Sequence, residues 1–271
     1  MPRTASVLLL LLSSGCASLG SYSPLHQLEQ ALVYQPETLP DTGLEKLPAR
    51  VEEVWIDGDT GVRLNGWFVE ADRPRGVLLY CHGNGGSVRS WGPVAVELQR
   101  KHQLSVLVFD YRGFGRSTGT PSEEGIVADA RAARRWLADR MGVSEQDIIL
   151  MGRSLGGAVA IQLAAEDGCR GLVLQSTFKS LPSVARRSAW WLLPDLNMQN
   201  RFPSIDRIPR YQGRVLISHG DADRLIPDSH GRKLYEAAPG PKEYISIPGG
   251  DHNCESTEEF AHALDRLVEQ T

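Results

Sequence analysis

The feature that most constrains this fold is a series of unbroken apolar runs that alternate with amphipathic segments along residues 76–247. Strands buried on both faces of a parallel sheet need apolar side chains at every position, and parallel neighbours need long crossovers between them. The pattern therefore predicts an α/β fold, with a mostly parallel, doubly wound sheet. The predicted parallel strands are Gly76–Cys81, Leu104–Phe109, Ile148–Met151, Gly171–Leu174, Val215–Ser218 and Tyr244–Ile247.

Two further strands and several helices complete this prediction. Val51–Asp57 and Val62–Val69 flank a turn of Gly and Asp residues, which predicts an antiparallel start to the sheet. Apolar residues recur at helical spacing between Trp91 and Leu98, and Glu123–Arg140 has acids first and arginines late, as the helix dipole favours. Ser256–Glu259 resembles a capping box before a final amphipathic helix. Ligands of such sheets bind at the carboxyl ends of the strands.

A candidate nucleophile lies at one of these strand ends. Ser154 is the centre of the GxSxG segment Gly152–Gly156, between a predicted strand and a predicted helix. In this setting the serine takes a strained conformation that exposes its hydroxyl above the sheet, and the glycines leave room for neighbouring backbone. A serine needs a general base, which an acid orients, and in this fold the chain order is Ser, acid, His.

The chain supplies an acid and a base in that order. We predict Asp223 as the acid and His252 as the base, because each follows its own predicted strand on the same rim as Ser154. Asp221 on the same loop remains an alternative acid, and Asp251 is expected to have a role within its loop. His219 ends a strand and is expected to be buried and hydrogen-bonded rather than a second base.

Backbone donors for an oxyanion are the third requirement of this chemistry. The N–H of Leu155, the residue after the serine, is predicted to be the first donor. The second is assigned to the N–H of Asn84, with Gly85 as the alternative, because the glycine-rich loop Cys81–Gly86 follows an earlier strand. The alternative is a glycine loop that starts a helix and binds phosphate at the helix N-terminus; because the loop lacks a GxGxxG or Walker pattern, this is the weaker interpretation.

The N-terminus has the form of an export signal. Arg3 precedes the apolar run Val7–Leu12, which is too short to span a membrane. Leu12–Cys16 resembles a bacterial lipoprotein signal, although Ser13 stands where a leucine is common. We therefore predict a signal peptide at residues 1–15, lipidation of Cys16 and an exported, membrane-anchored protein of the bacterial cell envelope. A plain secretory signal is the alternative.

Residues 16–50 are rich in Pro, Ser and Gln, without sustained periodicity, and are predicted to be a spacer before the domain at 51–271. The formal net charge of the chain is -4, which gives no basic surplus for nucleic acid. Its four cysteines form no CxxC pair and no cluster with metal-ligand spacing. We predict no metal site, no organic cofactor and no catalytic cysteine.

From about residue 51 the chain resembles the α/β-hydrolase superfamily. The segment Asp110–Glu123 is similar to the branch of serine-aminopeptidase-like domains and eukaryotic protein depalmitoylases, and its first part is expected to shape the site. The resemblance implies a serine hydrolase with Ser154 as nucleophile, Asp223 as acid and His252 as base. Arg153 occupies a position that varies in the family, so we expect no effect on Ser154.

The resemblance also places a lid insertion at about 176–214. Its apolar residues either line an acyl pocket or cover the sheet; they are Trp190, Trp191, Leu192, Leu193, Leu196 and Phe202. The expected substrate is a small acyl-containing ester or thioester. Amide or peptide hydrolysis by the same residues, and a non-catalytic envelope lipoprotein, are the alternatives.

Overall fold

The computed structural model describes residues 29–31, 33–37, 50–189 and 198–271. Its strands are β1 (Val51–Asp57), β2 (Arg63–Val69), β3 (Gly76–Cys81), β4 (Leu104–Phe109), β5 (Ile148–Arg153), β6 (Gly171–Gln175), β7 (Val215–Gly220) and β8 (Lys242–Ile247). Its helices are α1 (Val88–His102), α2 (Glu123–Met141), α3 (Leu155–Asp167), α4 (Leu181–Ala189), α5 (Ser204–Arg207), α6 (Ser229–Ala237) and α7 (Glu258–Gln270). Short 3-10 turns occur at Asp59–Gly61, Glu145–Asp147 and Ile208–Arg210.

All eight strands form one sheet in the order β1-β2-β4-β3-β5-β6-β7-β8. β1 pairs antiparallel with β2, and β2 pairs antiparallel with β4, whereas all pairs from β4 to β8 are parallel. The predicted mostly parallel sheet with antiparallel first strands is therefore confirmed. No helix in the described part of the chain is long and apolar enough to cross a membrane.

Four strands are longer than their apolar runs predict, and β6 is extended by one residue, Gln175. β5 extends to Arg153, which pairs with Gln175 of β6, and β7 extends to Gly220, which pairs with Ile247 of β8. β8 in turn begins at Lys242. Polar residues and glycine continue the backbone ladder at these ends, where apolar side chains are no longer required. The extensions at the carboxyl ends of β5, β6 and β7 matter because they carry the chain up to the candidate site, whereas β8 is extended at its other end.

Helices cover both faces of the sheet. Successive residues of a strand point to opposite sides, so an unbroken apolar strand has apolar side chains to bury on each face. Leu79 of β3 and Leu150 of β5 pack in one cluster with residues of α2, α3 and α6. Their neighbours Leu78 and Ile149 pack in a second cluster with residues of α1 and α7. The unbroken apolar strands thus have the environment that their composition requires, and the sheet is doubly wound.

Capping residues explain where two of the helices begin and where one of them ends. Ser122 caps α2 by accepting the N–H of Gly125, and Gly142 ends the same helix with a positive φ of 63°. Thr257, rather than Ser256, is the N-cap of α7, and its side chain accepts the N–H of Phe260. These contacts satisfy backbone groups that a helix leaves without internal partners.

Part of the predicted spacer packs on the domain. We call residues 29–31 and 33–37 the N-terminal strap. Val33 and Tyr34 are buried in the larger core cluster, and the hydroxyl of Tyr34 donates to Oδ1 of Asn200 at 2.7 Å. Glu29 accepts the backbone N–H of Asn200 at 2.7 Å. The apolar pair Val33 and Tyr34 explains why this short segment is held to the domain.

The strap also reaches the loops at the carboxyl ends of the strands. The N–H of Gln35 donates to Oδ1 of Asn84 at 3.0 Å, and Pro36 forms a β-bridge with Gly86. The N–H of Gly115 donates to the carbonyl of Glu37 at 2.7 Å. The strap therefore contacts both the glycine-rich loop and the loop after β4.

The segment predicted as a lid lies between β6 and β7. Trp190, Trp191, Leu192, Leu193 and Leu196 fall outside the described residues. Phe202 is fully buried, and its ring packs edge-on against Phe178 with 6.5 Å between centroids. The structure thus places Phe202 in the core that covers the sheet.

Candidate active site

The loop between β5 and α3 gives Ser154 an unusual backbone conformation. Its φ of 52° and ψ of -117° lie outside the helical and extended regions. For a residue with a Cβ such strain costs about 1–3 kcal/mol, so the surroundings must hold it in place. The N–H of Ser154 donates to the carbonyl of Gln175 at 2.9 Å, and Thr177 Oγ1 donates to the carbonyl of Ser154 at 2.7 Å. β6 and the loop after it thus fix the position of the serine.

The glycines on either side of Ser154 are required by close backbone contacts. A Cβ on Gly152 would lie 2.2 Å from the carbonyl oxygen of Gly156, and a Cβ on Gly156 would lie 1.9 Å from that of Cys81. Both distances are far below van der Waals contact. The two glycines therefore let the start of α3 approach β5 and the end of β3, as the motif predicts.

The structure brings Ser154, His252 and Asp223 into one hydrogen-bonded chain. His252 Nε2 lies 3.2 Å from Ser154 Oγ, and His252 Nδ1 lies 2.8 Å from Asp223 Oδ2. An ionised carboxylate only accepts hydrogen bonds, which assigns the imidazole proton to Nδ1. Nε2 is then free to accept the proton of the Ser154 hydroxyl, which is the arrangement that activates a serine nucleophile.

The competing acids occupy different positions. Asp221 Oδ1 accepts the N–H of Gly249 at 2.7 Å, and Asp251 pairs with the side chain of Arg224 at 2.8 Å. Each of these contacts stabilises a loop. Among the three acids near His252, the structure places the Asp223 carboxylate against the imidazole.

The carboxylate of Asp223 is buried and well supplied with donors. Its Oδ1 accepts the N–H groups of Leu225 and Ile226 at 2.9 Å and 2.8 Å. Burial alone would raise the pKa of Asp223, but hydrogen bonds from His219 and His252 outweigh it and hold this pKa well below its usual range. The group therefore remains ionised at neutral pH and can stabilise a protonated imidazole.

Arg153 connects the serine strand to the loop that carries His252. Its Nη2 donates to the carbonyl of His252 at 2.8 Å and to that of Cys254 at 3.2 Å. Sequence analysis predicts no role for Arg153, because its partners lie about a hundred positions away in the chain. The predicted strand ended at Met151, so the sequence did not show that Arg153 would be the last residue of β5.

The two predicted oxyanion donors lie on segments that meet beside Ser154. Leu155 is the first residue of α3, so its N–H has no acceptor within the helix, and the helix dipole adds positive potential there. The glycine-rich loop has positive φ at Gly85 and Gly86, 84° and 71°. Asn84 is exposed in this loop, and its side chain accepts the N–H of Gln35.

A buried acid contacts a buried histidine of the glycine-rich loop, His82. Asp110 is completely buried and accepts the N–H of Val88 at 2.8 Å, which fixes the start of α1. Its carboxylate lies 3.7 Å from His82 Nε2. Burial raises the pKa of Asp110 to about 8 and lowers that of His82 to about 4, so both groups are neutral near pH 7. The pair supports the loop without adding charge to the site.

The cysteines of the described part are thiols. Burial raises the pKa of Cys81 to about 12 and that of Cys169 to about 11, and it also raises the pKa of Cys254. A protonated thiol is a poor nucleophile. Within residues 29–31, 33–37, 50–189 and 198–271, no group of three or more His, Cys, Asp or Glu residues could hold a metal ion. Cys16, the predicted lipidation site, lies outside these residues.

Comparison with known proteins finds relatives over most of the chain. The α/β hydrolase fold family matches residues 76–205. An uncharacterized protein of Mycobacterium tuberculosis is 37% identical over 227 residues, which cover 83% of this chain and 80% of that protein. The α/β hydrolase domain-containing protein 17C of Mus musculus is 35% identical over 209 residues, covering 76% of this chain and 62% of that protein.

A solved structure shows the same fold at lower identity. The esterase Pf2001 of Pyrococcus furiosus superposes with a TM-score of 0.70 and 20% identity, covering 88% of this chain and 98% of that one. At this identity the likeness shows the fold alone.

Proposed function

The chain belongs to the α/β hydrolase fold family, and on this premise we propose that it is a serine hydrolase that cleaves carboxylic esters or thioesters. The observation that carries the proposal is the continuous chain from Ser154 Oγ through His252 to the buried carboxylate of Asp223. Each of these residues sits on a separate loop at the carboxyl ends of the strands. The proposed substrate is a small molecule with an acyl group.

The proposed reaction begins with attack of Ser154 Oγ on the acyl carbon. His252 Nε2 takes the hydroxyl proton and returns it to the departing alkoxide or thiolate, which leaves an acyl ester on Ser154. Water, deprotonated by the same nitrogen, then attacks the acyl carbon; the bond to Ser154 Oγ breaks, and His252 Nε2 returns the proton to Oγ as the acid is released. Asp223 keeps Nδ1 protonated and stabilises the imidazolium in both halves of the reaction.

Stabilisation of the developing oxyanion is assigned to the N–H groups of Leu155 and Asn84. Such donors contribute to the rate because they are already oriented before charge develops, and one donor is typically worth a factor of about 100–1000. Leu155 is held by the glycine contacts around Ser154, and Asn84 by its hydrogen bond with the strap. The reaction uses no metal or organic cofactor.

A fluorophosphonate probe tests the proposal directly, because it reacts with an activated serine. We expect wild type to be labelled and Ser154→Ala to be unlabelled. Ser105→Ala is a matched control, since Ser105 is buried at the other end of the sheet and accepts the N–H of Ala71. Equal labelling of wild type and Ser154→Ala would contradict the assignment of the nucleophile.

Substrate class is tested with a panel of acyl esters, acyl thioesters and aminoacyl amides of matched acyl groups. We expect kcat/KM to be higher for esters and thioesters than for amides. Preference for the amides would instead favour a peptidase or amidase. Absence of labelling and of turnover in the folded protein would favour a binding role.

We also propose that the protein is exported and anchored through a lipid on Cys16. The support is the sequence from Arg3 to Cys16, with its short apolar run and small residues before the cysteine. In a bacterial host, Cys16→Ser is expected to move the protein from the membrane fraction to the soluble fraction. Continued membrane association of this variant would contradict lipidation at Cys16.

A further inference from the structure

Asp223 contacts a second imidazole besides that of His252. His219 is the penultimate residue of β7 and is completely buried. Its Nε2 lies 3.3 Å from Asp223 Oδ2, the same oxygen that accepts from His252 Nδ1. The acid of the candidate site is therefore flanked by histidines on two sides, although only His252 approaches Ser154.

The other contacts of His219 determine which nitrogen carries its proton. Nε2 lies 2.7 Å from the carbonyl oxygen of Ile226, which can only accept a hydrogen bond. Nε2 is therefore protonated; its shorter contact is with Ile226, and Asp223 Oδ2 lies 3.3 Å from the same nitrogen. Nδ1 has no hydrogen-bond partner in the described part of the chain. It faces the backbone of Gly231, where an added Cβ would lie 2.7 Å from Nδ1.

This geometry ties together the loop that carries the acid. Asp223 lies between the end of β7 and Ile226, and its Oδ1 already accepts the N–H of Ile226. His219 links β7 both to the carbonyl of Ile226 and to Oδ2. The two oxygens of the carboxylate are thus held by separate donors, which leaves the side chain little freedom to rotate away from His252.

We propose that His219 is a positioning residue of the candidate hydrolase. Its Nε2–H holds Oδ2 of Asp223 in the orientation that keeps the proton of His252 on Nδ1. The inference rests on the proposed function, because its catalytic effect is transmitted through Asp223 and His252. His219 itself touches neither Ser154 nor any group predicted to contact the substrate.

The neighbouring titratable groups have other partners. His230 of α6 accepts the N–H of Lys179 at 3.4 Å, and burial lowers its pKa to about 4. Tyr244 of β8 donates to Asp228, and burial together with that contact raises its pKa above the usual range. Both groups are neutral between pH 5 and pH 8 on this basis, so neither accounts for a change in pH profile over that interval.

Two substitutions separate the role of the donor from that of packing. His219→Gln keeps an N–H donor at a similar distance along the side chain, whereas His219→Met keeps much of the volume without a donor. We expect His219→Met to lower kcat by about tenfold or more with little change in KM, as for loss of a hydrogen bond to a charged group. His219→Gln is expected to recover most of this loss.

The pH dependence of kcat/KM provides the readout that packing alone does not move. Without the His219 donor, Asp223 bears more uncompensated charge and favours the protonated imidazole. The acid limb is therefore expected to shift to higher pH in His219→Met and to return in His219→Gln. His102→Met is the matched control, because His102 is buried and pairs with Asp265 at 3.1 Å on the far side of the sheet. It should lower the melting temperature without moving the acid limb.

Nitrogen NMR of the wild-type protein tests the same inference without turnover and without a variant. The His219 signals are expected to show its proton on Nε2, the nitrogen that faces the carbonyl of Ile226. A ring with its proton on Nδ1 and none on Nε2 would overturn the proposal. So would an unchanged kcat and acid limb in His219→Met, or equal loss in the Met and Gln variants. Failure of Ser154 to react with the fluorophosphonate, with the His219 signal as expected, would instead refute the proposed function.

Discussion

Asp223→Asn tests the candidate site most directly, because it preserves shape and changes only hydrogen bonding. Oδ1 of the carboxylate accepts two backbone N–H groups, and Oδ2 lies against Nδ1 of His252 and Nε2 of His219. Asparagine has one oxygen. The N–H groups of Leu225 and Ile226 are fixed by the loop, so the asparagine oxygen is expected to stay where it accepts both of them. The new amide NH2 then faces His219 and His252.

The consequence for His252 follows from donor and acceptor matching. An amide NH2 favours an unprotonated Nδ1, which moves the imidazole proton to Nε2. Nε2 then cannot accept the proton of Ser154 Oγ, which lies 3.2 Å away. Loss of the correct tautomer in such a triad lowers kcat by about 10⁴, or about 5.5 kcal/mol of activation free energy. KM should change little, because Asp223 has no predicted contact with substrate.

The measurement is steady-state hydrolysis of a soluble activated ester, together with the rate of fluorophosphonate labelling. Asp251→Asn is the control, since Asp251 lies beside His252 in sequence but pairs with Arg224. We expect this control to stay within about threefold of wild type, as for most surface substitutions. A folded Asp223→Asn protein with kcat within tenfold of wild type would refute the assigned role of Asp223.

Three further predictions concern the surroundings of the site, and each is measured by urea unfolding. Gly156→Ala forces a Cβ to 1.9 Å from the Cys81 carbonyl, so we expect a loss of about 1–3 kcal/mol and much slower labelling. Gly142→Ala, which meets no atom within 4 Å, should leave labelling unchanged, and similar slowing in both variants would contradict this. Burial raises the pKa of Asp110 to about 8, so the native state keeps a proton that the unfolded chain loses near pH 4. Stability from this group thus falls as pH rises, by about 1.4 kcal/mol per unit. The free energy of unfolding of Asp110→Asn should therefore rise relative to that of wild type between about pH 4 and pH 8. A difference in free energy that is constant with pH would refute the raised pKa of Asp110. Tyr34→Phe removes the hydroxyl that donates to Asn200 at 2.7 Å and should lower the free energy of unfolding by about 1–2 kcal/mol. The free energy of unfolding of Tyr235→Phe should stay within about 0.5 kcal/mol of that of wild type. Equal losses of unfolding free energy in the two variants would argue against packing of the strap on the domain.

The sheet could be predicted from the sequence because burial on both faces requires apolar residues at consecutive positions. The same runs located the loops that carry Ser154 and His252, since the carboxyl ends of parallel strands share one edge. The choice between Asp221 and Asp223 could not be settled in this way. Both acids lie on one loop, and only the direction of each side chain distinguishes the one that meets His252.

The contacts that hold the site together are harder to predict from the sequence than the sheet is. Arg153 binds the carbonyls of His252 and Cys254, and its partners are backbone groups that any residue would supply. His219 was expected to be buried and hydrogen-bonded, which the structure bears out, but its contact with Asp223 depends on how the loop after β7 turns. Pairing across loops is set by tertiary geometry and has no characteristic spacing.

The contacts of the N-terminal strap could not be predicted from the sequence either. They also affect where the proposed lipid anchor would hold the enzyme. A segment this short shows no periodicity, so composition alone predicted a spacer. Yet Tyr34 contacts Asn200 near the end of the predicted lid, and Gln35 contacts Asn84 in the glycine-rich loop. A lipid on Cys16 would therefore be joined to the domain beside the candidate site, with only residues 17–28 between them. Any variant that begins at Val51 removes both contacts, so kinetics measured on it would describe a glycine-rich loop without one of its supports.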